Sequence, residues 1–198
     1  MKIVRAIESP VSHDQHALGK HLPLVCADTA RVNRGEPVYL PYPAHAYSLT
    51  PCLYIRLRGV CKAVDRQQAE RYIDGMGSAL HFCDETLLAE LRSSGLPWTS
   101  ALSFDRAIIA GQEGMISPDL LGEAGGFALT MAGVQHPIPE GVLPASLMAT
   151  ISRFSGLFTF NTGDWLLMPL SQPVPITALP ARAQLSFRGQ LLLDEHIR

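Results

Sequence analysis

The feature that most constrains the fold is the stretch 47–105, in which strand-like and helix-like segments alternate. Residues 50–57 and 78–83 are apolar runs of strand length. Each is followed by a segment with helical spacing of its apolar residues, at 65–73 and 84–94. Many short strands with a few helices predict a β-rich α+β domain.

Further elements are predicted on both sides of this stretch from short apolar runs bounded by turn residues. A helix is expected over residues 147–154. The additional strands are expected at 2–7, 23–27, 107–110, 127–131, 165–168, 183–187 and 190–193.

The length predicts a single domain. A chain of 198 residues is long enough for one substantial core, and it contains no internal repeat or low-complexity tract. Four prolines between 37 and 51 keep that region extended. We therefore expect residues 1–45 to form an N-terminal arm and residues 46–198 to form the core.

The composition limits the kinds of partner. Apolar residues make up 47% of the chain and charged residues only 17%, which favours a homodimer that buries an apolar patch. The net charge of −2 and the lack of a basic stripe argue against nucleic acid. No apolar run reaches about 18 residues, so no membrane span is expected.

The cysteines and the first residues predict a cytoplasmic location. The four cysteines form no CxxC pair and are interpreted as buried, reduced thiols. The opening residues have the pattern of a strand and lack that of a signal peptide.

Three segments carry a resemblance to a known family. They are the Ala69-x-x-Tyr72-Ile73-x-Gly75 joint, the Trp-Thr-x-x-x-x-Phe-Asp segment at 98–105, and the helix and Gly-Asp strand unit at 151–167. Their order and spacing resemble the fumarylacetoacetate hydrolase superfamily over most of the chain. The resemblance implies a mixed β-roll like that family's C-terminal domain, and a homodimer.

The same resemblance implies where a metal would bind. Family members hold Mg²⁺, Mn²⁺ or Ca²⁺ with three carboxylates, and the metal polarises a 2-oxo acid or 1,3-dicarbonyl compound. The carboxylate positions correspond here to Thr50, Cys52 and His81. We therefore expect no metal cofactor. Two alternatives remain open: Cys52 and His81 hold Zn²⁺ or another softer ion, or they are simply core residues.

Other family site residues are also replaced. His16 matches the catalytic histidine, but Gly19 stands where a glutamate normally orients it. Leu102 replaces a lysine of the family, and Leu170 lies in the segment that corresponds to a substrate-binding Gly-Thr-Pro. His16 is thus a candidate catalytic residue, or alternatively a solvated surface histidine.

Two functions are compatible with these residues. The first is a non-catalytic or binding homologue that has lost the Mg²⁺ or Mn²⁺ site. The alternative is an altered enzyme that uses His16, with Cys52 and His81, on a small 2-oxo acid or 1,3-dicarbonyl compound. Its reaction would be C–C hydrolysis, decarboxylation or tautomerisation.

Overall fold

The protein was analysed as a computed structural model that describes residues 1–8, 21–32, 36, 38–114, 126–138 and 144–198. The helices within these residues are α1 (Glu85–Ser93), α2 (Pro144–Leu157) and three 3-10 helices at Asp28–Ala30, Arg66–Tyr72 and Thr99–Ala101. The strands are β1 (Ile3–Glu8), β2 (His21–Cys26), β3 (Arg31–Val32), β4 (Tyr47–Leu57), β5 (Ile73–Asp84), β6 (Ile108–Ala110), β7 (Phe127–Met131), β8 (Val134–Pro137), β9 (Trp165–Pro169), β10 (Val174–Ile176), β11 (Ala181–Phe187) and β12 (Gln190–Ile197).

The strands form two sheets. The larger has the order β2-β1-β9-β4-β5-β6-β3, with β10 paired to β4, and the smaller has the order β12-β11-β7-β8. The β1–β9 and β3–β6 pairs are parallel, and the other pairs are antiparallel. This confirms a β-rich α+β fold. Three strands from the first 45 residues, β1, β2 and β3, belong to the larger sheet.

Alternation along the strands gives the larger sheet two apolar faces. Leu49, Leu53 and Ile55 of β4 pack into the main core, which also contains residues of α2 and the smaller sheet. The intervening residues Cys52 and Tyr54 belong to a second cluster on the opposite face. Ile3 and Ile7 of β1 and Ala79 and Cys83 of β5 also pack in that second cluster. Arg5 and His81 lie on the same strand faces as these residues, because side chains two positions apart in a strand point to the same side.

One predicted helix takes a different form. Residues 65–73 were expected to form an amphipathic helix, but the segment is a 3-10 helix over Arg66–Tyr72. Asp65 caps it by accepting a hydrogen bond from the Gln67 amide at 2.8 Å. Ile73 does not continue the helix, because it pairs with Leu57 as the first residue of β5. The helix therefore ends at Tyr72.

The described residues contain no helix that is both long and apolar enough to cross a membrane.

The start of β1 is fixed by a buried carboxylate. Asp164, which precedes β9, accepts hydrogen bonds from the Lys2 amide at 2.6 Å and the Asn161 amide at 2.9 Å. The ammonium group of Lys2 lies 3.3 Å from the same carboxylate. Since β1 pairs with β9 over only three residues, this carboxylate holds the two strands in register.

We expect Asp164→Ala to lower the free energy of unfolding by about 2–4 kcal/mol, because two part-buried amide donors and the Lys2 ammonium group lose their shared partner. Urea unfolding followed by circular dichroism measures the change. Asp28→Ala, at an exposed position, is the matched control and should shift stability by no more than about 0.5 kcal/mol. Equal effects of the two substitutions would contradict the anchoring role of Asp164.

Candidate functional site

The three residues predicted at the former metal positions lie together on one face of the larger sheet. Thr50 and His81 are directly opposite each other in the β4–β5 pair, and Cys52 is two residues further along β4. All three are almost completely buried. The antiparallel register therefore brings these side chains to one place.

A fourth residue, Arg5 of β1, occupies the space between them. It is opposite Leu167 of β9, and β9 lies between β1 and β4, so the Arg5 side chain extends across β9. Its Nη1 atom lies 2.5 Å from His81 Nδ1, and its Nη2 atom donates to Thr50 Oγ1 at 3.0 Å. The guanidinium thus contacts two of the three residues that the resemblance predicts at the family's carboxylate positions.

These contacts define the protonation state of His81. A guanidinium has only donors, so His81 Nδ1 must accept the hydrogen bond from Arg5. The proton is then on Nε2, which donates to the main-chain oxygen of Leu102 at 2.6 Å. Complete burial and the neighbouring charge of Arg5 hold the pKa of His81 well below its ordinary value. His81 is therefore a neutral imidazole with both nitrogens engaged.

The thiols around Arg5 are also neutral. Burial raises the pKa of Cys52 to about 11, although the charge of Arg5 opposes this shift. It raises the pKa of Cys26 to about 11 and that of Cys83 to about 12. Cys52 Sγ donates to the Thr50 carbonyl at 3.5 Å. None of these groups is a thiolate near pH 7, so they are poor nucleophiles.

A cleft of about 400 Å³ opens above Arg5 and Thr50. Leu170 forms part of its wall, and the exposed Arg92 lies at its rim. The side chain of Gln172, also in the lining, donates to Glu8 Oε2 at 2.8 Å. The guanidinium of Arg5 is therefore part of the boundary of a site that is large enough for a small molecule.

The remaining predicted site residues have different positions. Leu170 lines the cleft. Leu102 is buried beside His81, where its main-chain oxygen and not its side chain takes part in the hydrogen-bonded group. His16 lies outside the described residues, and its catalytic role stays a prediction.

The donors present do not fit a divalent cation. Both nitrogens of His81 are engaged, Cys52 is protonated, and a positive guanidinium stands between Thr50 and His81. A dication beside Arg5 would be repelled by several kcal/mol even with strong screening. Across the described ranges, no group of three or more His, Cys, Asp or Glu side chains is arranged to hold a metal ion.

The fold is shared with several solved structures. The fumarylpyruvate hydrolase of Pseudomonas aeruginosa, solved with Mn²⁺ and pyruvate, matches with a TM-score of 0.80 at 15% identity, over 100% of this chain and 89% of that one. A Yersinia pestis CO92 protein assigned to the fumarylacetoacetate hydrolase family matches with a TM-score of 0.75 at 21% identity, over 100% and 92%. The chain has the fumarylacetoacetate hydrolase fold.

A third structure with this fold is the 5-carboxymethyl-2-hydroxymuconate delta-isomerase of Mycobacterium smegmatis. It matches with a TM-score of 0.79 at 18% identity, over 99% of this chain and 78% of that one. By sequence, no family model and no curated protein matches. The structural matches confirm the predicted β-roll of the fumarylacetoacetate hydrolase type.

Arg5 is the site residue that sequence reasoning missed. One signal was available: Arg5 is a charged residue in the middle of an apolar strand, and it lies on the same face of that strand as Ile3 and Ile7. A buried arginine at such a position needs a partner across the sheet. The identity of that partner depends on the β1–β9 pairing, which the local sequence pattern does not contain.

The neutral state of His81 predicts a specific dependence of stability on pH. In the unfolded chain the imidazole takes up a proton near its ordinary pKa of 6.5, whereas the folded protein resists protonation. The unfolded state thus binds more protons as the pH falls, and stability falls with it. Between pH 7 and pH 5 this single group should account for a loss of about 2 kcal/mol.

The measurement is urea unfolding at pH 5 and pH 7 for the wild type and for His81→Gln. Between pH 7 and pH 5, the free energy of unfolding of the variant should fall by about 2 kcal/mol less than that of the wild type, because the variant lacks the titrating group. His196→Gln removes an exposed histidine and serves as the control. A loss that is the same in wild type and His81→Gln would show that His81 is not held neutral.

Proposed function

We propose that this chain is a metal-independent homologue of the fumarylacetoacetate hydrolase superfamily that binds a small organic ligand without metal-dependent turnover. The observation that carries the proposal is the guanidinium of Arg5, hydrogen-bonded to Thr50 and His81 where the family places its metal ligands. A fixed positive charge of the chain itself thus takes the place of the exchangeable dication.

The exchange of cation has a chemical consequence. A metal ion in this family accepts oxygen ligands from a 2-oxo acid and stabilises the enolate that forms. The Arg5 side chain provides one positive charge and hydrogen-bond donors, but no empty coordination position. Leu102 also lacks the charge of the family lysine. A bound oxo acid would therefore be held while its C–C bond remains intact.

An altered enzyme that uses Cys52 and His81 is less well supported. A general base needs a free lone pair near the substrate, and His81 Nδ1 is already engaged by Arg5. The thiol of Cys52 is fully buried and has a pKa of about 11. Since neither group is available, the support for catalysis is reduced to His16.

A homodimer and a cytoplasmic location remain part of the proposal. The low charged fraction of 17% supports an additional buried apolar surface between two copies of the chain. A small oxo acid is the ligand that the fold suggests, because the fumarylpyruvate hydrolase with this fold was solved with pyruvate.

A steady-state assay tests the absence of metal-dependent turnover. Oxaloacetate and acetylpyruvate are supplied separately to the purified protein, with Mg²⁺ or Mn²⁺, and each reaction is repeated with excess chelator. We expect no rate above background, because several kcal/mol of transition-state stabilisation are missing and each 1.36 kcal/mol is tenfold in rate. Turnover of about one per second that the chelator abolishes would contradict the proposal.

A further inference from the structure

Among the described residues, the charge of Arg5 is not compensated by a carboxylate. The residue is only 6% exposed, and within the described residues no Asp or Glu carboxylate forms an ion pair with it. Its Nε atom is buried and has no hydrogen-bond partner in the part of the chain that the structure describes. A buried arginine in a folded protein is normally paired with an anion or fully hydrogen-bonded, and Arg5 is neither.

The groups that do contact Arg5 are neutral. His81 accepts through the lone pair of Nδ1, and Thr50 accepts through its hydroxyl oxygen. Burial keeps the neighbouring thiols protonated at neutral pH. The hydrogen bonds thus position the guanidinium without cancelling its charge.

An uncompensated buried charge is costly, and an anion bound beside it would reduce that cost. The cleft above Arg5 provides the space. Its lining contains two arginines, Arg5 and Arg92, and one acid, Glu8, whose carboxylate accepts a hydrogen bond from Gln172. The lining therefore has an excess of positive charge.

We propose that this cleft binds a small organic carboxylate directly, with its carboxylate group against the guanidinium of Arg5 and with no metal ion between them. A planar guanidinium matches a planar carboxylate, and one buried positive charge balances one negative charge. A phosphate dianion would leave a further negative charge without a buried partner. This inference rests on the proposed function, because a metal ion between Thr50 and His81 would displace the guanidinium.

Arg92 has a secondary role in the same site. It lies at the rim, is exposed, and its guanidinium carbon is 5.4 Å from the centre of the Trp98 ring. A second carboxylate on the ligand would extend towards this solvent-screened charge. We therefore expect a dicarboxylate to bind more tightly than a monocarboxylate, with Arg5 contributing more than Arg92.

Isothermal titration of the full chain with malonate, acetate and inorganic phosphate, all with EDTA present, tests the inference. We expect saturable one-site binding of malonate, weaker binding of acetate and the weakest binding of phosphate. Arg5→Met should weaken malonate binding roughly 10- to 100-fold, and Arg5→Lys should fall between that variant and the wild type. Arg58→Ala, past the far end of β4, is the exposed control and should bind as the wild type does.

The malonate titration is also repeated with Mn²⁺ in place of EDTA. Four results would overturn the inference: no saturable carboxylate binding, malonate binding unchanged in Arg5→Met, phosphate binding tighter than malonate binding, or binding that appears only when Mn²⁺ replaces EDTA. The last result would also refute the proposed function. Absent binding in a protein that also lacks metal-dependent turnover would refute the inference alone.

A measurement on the wild type covers the case in which Arg5→Met does not fold. In uniformly ¹⁵N-labelled protein, the Nε–H signal of Arg5 is assigned as the arginine side-chain signal missing from the spectrum of Arg5→Lys. We expect this signal to shift saturably with malonate. An Arg5 signal that stays in place while other signals report malonate binding would place the ligand elsewhere and overturn the inference.

Discussion

The hydrogen bond between Arg5 and His81 governs the chemistry of this site. Because a guanidinium can only donate, it forces the imidazole to be neutral, with its proton directed at the Leu102 carbonyl. One interaction thereby removes a general base, blocks a metal-binding nitrogen and leaves a positive charge at the floor of the cleft. The proposed lack of metal-dependent turnover and the proposed affinity for carboxylates both rest on this same contact.

The contact in turn depends on the architecture of the larger sheet. Arg5 reaches Thr50 and His81 only because β1 lies beside β9, and β9 lies beside β4. Asp164 fixes the first of these pairs by accepting hydrogen bonds from main-chain amides on both sides of the joint. The anchor and the site are therefore linked, since any shift of β1 along β9 would move the guanidinium away from its partners.

Local sequence signals predicted much of the fold and only part of the site. Helix α1 was predictable because Asp84 caps it and its apolar residues have helical spacing. Strand β8 was missed because its exposed residues lack an apolar alternation. The grouping of Thr50, Cys52 and His81 came from the family resemblance. The contact of Arg5 with His81 joins residues 76 positions apart through a parallel pair, which no local pattern encodes.

Manganese binding by two restored variants tests the central claim that Arg5 stands in the place of the metal. The first carries Thr50→Glu, Cys52→Glu and His81→Asp, and the second adds Arg5→Ala. Both are checked for folding by circular dichroism and titrated with Mn²⁺ by calorimetry. We predict that the carboxylates of the first variant pair with Arg5, so that the second binds Mn²⁺ at least about tenfold more tightly. Equal affinities would contradict the account, because the guanidinium would then not compete with the metal.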